Sequence, residues 1–240
     1  MDVVNMFSGL ENRSQKRHLV NGLRNLFNFY QTQGLVDKQW LDLLRSNLPK
    51  TSVGVDMQVP SEAEIVESLK RMAEMDRGKR LFGVYNLLLD SGLRVAEAVK
   101  LYNALKFAEV NLERQNGFYI APLGYFRNTK LAYYGFITEF TLKIIEKAEN
   151  KPLTYKGTTG KAKKQFDAIN GKYLRKFVFD IMTSESLNIP ESVADFIEGR
   201  TPKTVGARHY MQLKRKAVQF YPRYAEYITE LRQKAGLLTA

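Results

Sequence analysis

Apolar residues recur at helical spacing near the start of the chain. In residues 14–33, leucine and aromatic residues fall on one stripe, from Leu19 to Tyr30, and Gly34 follows as a stop signal. A shorter pattern of the same kind covers residues 37–48. The pattern predicts a small N-terminal unit of two helices over residues 1–48.

The periodicity stops in residues 49–60, which contain two prolines and a glycine. This composition predicts a linker. Ser61 and Glu64 then have the spacing of a capping box, which opens a new helix. We therefore expect a second and larger domain over residues 61–240.

The pattern in this second domain changes once from helix to strand and back. Residues 118–123 and 131–138 are rich in aromatic and β-branched residues, and the polar residues 127–130 between them predict a hairpin loop. Residues 150–168 read as an exposed basic loop. Helices are predicted at residues 79–89, 139–149, 171–183, 190–198 and 204–213, and after Pro222. The fold class is mainly α with a small antiparallel β-sheet, an α+β fold.

A tight corner separates two of the predicted helices. The first ends at Asp90-Ser91-Gly92, and a second begins at once with LRVAEAVKL. Asp90 and Ser91 are interpreted as turn residues. Arg94 is therefore expected on the first turn of the helix that follows the corner.

Composition narrows the possible chemistry. The chain of 240 residues has no cysteine and two histidines. This excludes a disulfide framework, a thiol nucleophile, cysteine-ligated metal sites and a histidine-rich metal site. The sequence has neither a long apolar run nor a secretory signal pattern, which predicts a soluble, cytoplasmic protein.

The charge balance favours a polyanionic partner. Lys and Arg number 37 against 25 Asp and Glu, which gives a net charge of +12. Nucleic acid is the first candidate and an anionic membrane surface the second. The cations concentrate in residues 151–180 and 200–223, although a solvated basic face is the ordinary interpretation of any one of them.

A solvated basic face does not account for one set of residues. Arg94, Lys172, Arg175 and Arg200 precede Tyr210 in the sequence, and Lys172 and Arg175 are three residues apart on one helical face. Alone, Arg94 with Glu97 is also consistent with an exposed ion pair, and most tyrosines are buried aromatics. Together the five residues suggest phosphoryl transfer, because guanidinium groups match the charge that develops on phosphate oxygens.

These residues resemble the tyrosine recombinase (phage integrase) family, and in particular archaeal fusellovirus-type integrases. SGLRVAEAVKL is similar to the first family box, and KYLRKFVFDIM, IEGRTPKTV and RHYMQL resemble the later ones, so that the resemblance covers about residues 61–232. Lys172 stands where the wider family has histidine, and Arg200 where it has histidine or tryptophan.

The resemblance implies a role for each residue. Tyr210 would be the nucleophile, Arg94, Arg175 and Arg200 would bind the phosphate, and Lys172 is a candidate base, although cationic surroundings that stabilise phenolate are an alternative. The family's hairpin lysine, the acid for the leaving 5′ oxygen, matches Lys130, with Arg127 as a rival. No metal and no cofactor is implied. Further DNA contacts are predicted for Arg127, Lys161, Lys163, Lys164, Lys203 and Arg208.

The expected function is site-specific recombination at a double-stranded DNA attachment site, through a 3′-phosphotyrosyl intermediate and a tetrameric synaptic complex. The short N-terminal unit suggests a remnant of a core-binding domain, or a fragment of a longer integrase. A type IB topoisomerase, a non-catalytic basic DNA-binding module and a membrane-surface protein remain as alternatives.

Overall fold

The structure is a computed structural model that describes residues 7, 10, 12–50, 56–127, 130–200 and 212–239, with the backbone alone at residues 13, 125–127, 130 and 131. Two compact units divide the chain, Met1–Met57 and Gln58–Ala240. The division lies within the segment 49–60. The interpretation of that segment as a linker, and of the units as domains with separate roles, stays a prediction.

The first unit contains two helices at the positions that the apolar pattern predicts. α1 spans Arg13–Thr32 and α2 spans Lys38–Ser46. The side chains of Asn12 and Asp37 accept hydrogen bonds from the first free backbone N–H groups of these helices, which fixes where each one begins. Val20, Phe27 and Leu41 belong to the small core between them.

The second unit carries the remaining elements. Its first three helices are α3 (Glu62–Met75), α4 (Arg80–Ser91) and α5 (Val95–Lys106). The strands β1 (Glu113–Arg114), β2 (Phe118–Arg127) and β3 (Lys130–Thr138) follow. The later helices are α6 (Glu139–Lys147), α7 (Tyr155–Thr158), α8 (Lys161–Phe166), α9 (Gly171–Thr183), α10 (Glu191–Ile197) and α11 (Leu213–Lys234).

The three strands form one antiparallel sheet in the order β1-β2-β3. Phe118 pairs with Thr138 at one end and Arg127 with Lys130 at the other, and the register shifts between Pro122 and Tyr125. The mainly helical α+β class predicted from the sequence is therefore confirmed. The hairpin connection is shorter than predicted, because Arg127 ends β2 and Lys130 begins β3.

α4 is the central helix of this unit. Residues 82–91 of α4 are buried without interruption, and the helix packs against α3, α5, α6, α9 and β3. A helix that is apolar on all sides is expected at the centre of a domain. Within the described residues, no helix is long and apolar enough to cross a membrane.

A buried ion pair joins the C-terminal helix to the end of α4. Arg232 of α11 is fully buried and donates from Nη2 to Asp90 Oδ1 at 2.6 Å. Asp90 also accepts from the backbone N–H of Thr138 at 2.8 Å. The hydroxyl of Tyr221 donates to the Asp90 carbonyl at 2.9 Å. Asp90 and Ser91 are therefore buried residues in the last turn of α4, and their interpretation as turn residues was wrong.

The start of the C-terminal helix also differs from the prediction. α11 begins at Leu213 and contains Pro222 in its interior, whereas the sequence predicts a helix only after that proline. Proline in a helix interior costs about 3 kcal/mol, but Tyr221 and Tyr224 on either side are fully buried and both hydroxyls donate to backbone carbonyls. Burial and hydrogen bonding offset the cost of the proline.

The segment 150–168 is not a continuous loop. It forms α7 and α8, and the apolar residues Leu153, Phe166 and Ala168 are buried in the main core. The many lysines hide this pattern in the sequence, because the apolar residues are too few and too widely spaced to show a helical period.

Removal of the cap at the start of α3 provides a test of the local structure. Ser61 accepts from the Glu64 backbone N–H, and the Glu64 carboxylate accepts from the Ser61 N–H at 2.8 Å. We predict that Ser61→Ala lowers the free energy of unfolding by about 1 kcal/mol, measured by urea denaturation. Ser61→Asp, which also caps, should retain the stability; an equal loss in both variants would contradict the capping role.

Candidate active site

Arg94 lies at the corner between α4 and α5. It is the N-cap of α5, and its backbone N–H donates to Glu97 Oε2 at 2.8 Å. Its Nη1 donates to Glu97 Oε1 at 2.6 Å and to the Gly199 carbonyl at 2.9 Å. Glu97 is 1% exposed and Arg94 is 30% exposed. The pair is therefore a buried carboxylate that holds a partly exposed guanidinium, not an exposed ion pair.

Arg175 enters the same region from α9. Its Nη1 donates to the Gly92 carbonyl at 3.0 Å and to the Glu198 carbonyl at 2.9 Å. Its Nη2 is buried and donates to no described residue. Burial lowers the pKa of Arg175 to about 10, opposed by the nearby Glu198 carboxylate. Arg175 is thus fixed by two carbonyls, and its Nη2 is a buried donor without a described partner.

Arg200 follows α10 and completes the group. Its Nε lies 2.7 Å from Glu198 Oε2, and its Nη1 lies 3.7 Å from Asp195 Oδ1. Its guanidinium carbon lies 4.7 Å from the centre of the Phe179 ring, a cation–π distance. Carboxylate on one side and ring on the other restrict the orientation of this side chain.

Two glycines bring these elements together. Gly92 and Gly199 both have positive φ, 60° and 67°. A Cβ on Gly199 would lie 2.7 Å from the Cβ of Ala132 in β3, so a side chain there would push α10 away from the sheet. This close approach also places Gly199, the residue before Arg200, beside the beginning of β3.

The arginines are balanced by buried carboxylates. Glu97, Asp195 and Glu198 lie beside Arg94, Arg175 and Arg200, and all three acids are buried. Burial raises the pKa of Glu198 to about 8, against the opposite effect of Arg175 and Arg200. Each of the three arginines therefore lies at ion-pair distance from a buried acidic side chain.

A pocket of about 310 Å³ opens beside Arg94 and Arg175. Lys172, which is exposed at the start of α9, also lines it, and its Nζ lies 5.0 Å from the centre of the Tyr173 ring. Tyr155 and Asn170 also line the pocket. The pocket presents cations of the kind that bind an oxyanion.

The structure places the other predicted residues as follows. Arg127 and Lys130 face each other in register across β2 and β3, and their backbone alone is described. Lys161, Lys163 and Lys164 lie on α8, where Lys163 pairs with Asp167, which also pairs with Arg71. Lys203, Arg208 and Tyr210 lie outside the described residues. The roles of all these residues stay predictions.

Sequence reasoning missed Glu198, Asp195 and Phe179. One signal was present, since Glu198 follows Val193, Ala194 and Ile197 on the buried side of α10, where an apolar residue is expected. A charged residue at such a position usually has a partner.

The described residues contain no cluster of three or more His, Cys, Asp or Glu suited to a metal ion.

The sequence matches a known protein family. The family model described as archaeal phage integrase matches residues 57–227, which include Arg94, Arg175, Arg200 and Tyr210. No curated protein matches the chain. The matched region is more than half of the sequence. The chain therefore belongs to the archaeal phage integrase family, and its role is that of an integrase, a recombinase that acts on DNA.

Proposed function

We propose that this integrase is a tyrosine recombinase in which Tyr210 attacks a DNA phosphodiester held by Arg94, Arg175 and Arg200. The observation that carries the proposal is the assembly of these three guanidinium groups around shared partners. Arg94 and Arg175 both approach the Glu97 carboxylate, and Arg175 and Arg200 both approach the Glu198 carboxylate. Arg94 and Arg175 also line the pocket described above.

The chemistry is a transesterification. The Tyr210 oxygen forms a bond to phosphorus, the bond from phosphorus to the 5′ oxygen breaks, and the product is a 3′-phosphotyrosyl link with a free 5′ hydroxyl. The phenol proton goes to a base, for which Lys172 is the candidate, or is lost because nearby cations stabilise phenolate. Lys130 donates a proton to the leaving 5′ oxygen.

Strand exchange is the reverse step. A 5′ hydroxyl from a partner duplex attacks the phosphotyrosyl link and releases Tyr210. Because the link preserves the energy of the broken phosphodiester, the cycle consumes no ATP. A tetramer on paired attachment sites would then integrate or excise a viral or plasmid element.

The residues on either side of the Tyr210 segment support its role. Arg200 precedes the segment, and Lys214 follows it with its Nζ 5.0 Å from the centre of the Tyr134 ring. Tyr134 packs against Phe196, four residues before Arg200, with ring centres 6.0 Å apart. Lys214 and Phe196 of α10 therefore contact the same side chain, Tyr134 of β3.

Covalent capture of DNA tests the proposal. A pool of duplexes with randomised sequence and a nick beside the randomised positions lets the short fragment that carries the new 5′ hydroxyl diffuse away after cleavage, which traps the adduct. We predict that the wild type forms an SDS-resistant adduct and that mass spectrometry locates it at Tyr210. Sequencing the captured DNA would then give the attachment site.

Two variants serve as controls. Tyr210→Phe should bind DNA but form no adduct, and Tyr119→Phe, at a partly buried tyrosine of β2, should form adduct like the wild type. DNA binding without any adduct from the wild type would contradict the proposal and indicate a non-catalytic binding module. Relaxation of supercoiled DNA without recombinant products would indicate a topoisomerase.

A further inference from the structure

Glu198 is a fully buried carboxyl group between two of the arginines, and the proposed mechanism gives it no role. It is the C-cap of α10, and its side chain is 0% exposed. Oε2 lies 2.7 Å from Arg200 Nε and 3.7 Å from Arg175 Nε. A buried charge is tolerated only when it is paired, so the contacts of Glu198 with these two arginines need an explanation.

The surroundings of Glu198 are shaped to receive it. A Cβ on Gly92 would lie 2.5 Å from Oε1 and 2.7 Å from Cγ, so the corner before Arg94 has no room for a side chain there. Neither carboxyl oxygen makes a hydrogen bond to a described residue. The carboxylate therefore acts on Arg175 and Arg200 through its charge, at ion-pair distance.

We infer that Glu198 is a positioning residue for DNA cleavage, whose ionised carboxylate holds the Arg200 guanidinium beside Arg175 in the orientation that stabilises the transition state. The inference rests on the tyrosine mechanism proposed above. The negative charge of Glu198 also opposes the phosphate, so the same group strengthens the chemical step and weakens DNA binding. Loss of the charge should thus change the two measurements in opposite directions.

The charge of Glu198 depends on pH near neutrality. Among the described residues, the ionisable groups that act on it are Arg94, Arg175, Asp195, Arg200 and the phenol of Tyr224 in α11. Glu97 of α5 lies on the other side of Arg175, with Oε2 3.9 Å from Arg175 Nη1. Burial raises the pKa of Glu198 to about 8. As pH rises through this range the carboxyl group ionises, so its contribution to the cleavage rate should increase and DNA affinity should decrease.

The test compares wild type with Glu198→Gln on the trapping duplexes, under single-turnover conditions with saturating protein, from about pH 6 to about pH 9. We expect the variant to cleave about tenfold more slowly at the upper end, because a charge-assisted contact becomes a neutral one. The ratio of the wild-type rate to the variant rate should rise with pH, since other ionisations cancel in the ratio. The variant should bind the same duplex at least as tightly.

Further variants separate positioning from folding. Glu185→Gln, at an exposed acid, should leave rate and affinity unchanged. In an Arg200→Lys background, Glu198→Gln should have little additional effect, because Glu198 acts through Arg200. If Glu198→Gln does not fold, Glu198→Asp provides the test. Its side chain keeps the charge but is shorter by one methylene group, so the carboxylate lies further from the arginines. This variant should cleave DNA about tenfold more slowly while retaining the wild-type pH dependence.

The outcomes are distinct. An unchanged rate in the variant, or a rate ratio that does not vary with pH, would overturn the positioning role while the wild-type adduct leaves the tyrosine mechanism intact. Absence of adduct from the wild type would overturn the mechanism itself. A role limited to stability would lower the unfolding midpoint of Glu198→Gln but leave the rate ratio flat.

Discussion

Asp90→Ala is expected to lower the free energy of unfolding by about 3–5 kcal/mol, the largest effect on stability that we predict. The substitution leaves the buried Arg232 guanidinium without its counter-ion, because Asp90 is the carboxylate with which it pairs. Both side chains are 0% exposed, so water does not replace the lost partner. Urea denaturation followed by circular dichroism would measure the loss.

Two comparisons make this prediction specific. Lys234→Ala, on the same helix as Arg232, removes a solvent-exposed pair with Glu62 of α3 and should cost less than about 1 kcal/mol. Asp90→Ala combined with Arg232→Met removes both charges and should recover much of the stability, because apolar replacement of a buried pair is often neutral. A loss in Asp90→Ala no larger than that in Lys234→Ala would contradict the role of the buried pair.

The Asp90–Arg232 pair shows why part of the fold is not visible in the sequence. Its two residues are separated by 142 positions, and each alone resembles a surface charge. By contrast, the capping box of α3 and the apolar stripe of α1 each depend on residues that are close together in the sequence, so both can be predicted from it. Pro222 was misread for the same reason as Asp90: the buried tyrosines that stabilise α11 around it bind to the end of α4.

The candidate site likewise has residues that the sequence predicts and partners that it does not. Arg94, Arg175 and Arg200 are found from their residue types and order, since a phosphate-binding group needs guanidinium donors. Their partners are not: the Gly199 carbonyl is 105 positions from Arg94, and the Gly92 carbonyl is 83 positions from Arg175. Residue type and order in the sequence predict which residues contact a phosphate, and the fold determines what holds those residues in place.

Arg175→Lys is expected to reduce the single-turnover rate of adduct formation about 10²–10³-fold, the loss typical of removing one preorganised donor. Lysine keeps a positive charge and three N–H donors, but all three are on one tetrahedral nitrogen, so a lysine that donates to the Gly92 and Glu198 carbonyls has no second nitrogen in a planar fork for the phosphate. DNA affinity should change much less, because the other cations of the interface remain.

Arg223→Lys is the matched control, since Arg223 is an exposed arginine of α11 whose Nη1 donates to the Leu187 carbonyl at 3.1 Å. It should cleave DNA at the wild-type rate. Adduct formation by Arg175→Lys at the wild-type rate would show that charge alone suffices at this position and would remove Arg175 from the proposed transition-state contacts. A reduced rate with normal stability and binding would instead locate the defect in the chemical step, because a folded variant that binds DNA lacks only the second guanidinium donor.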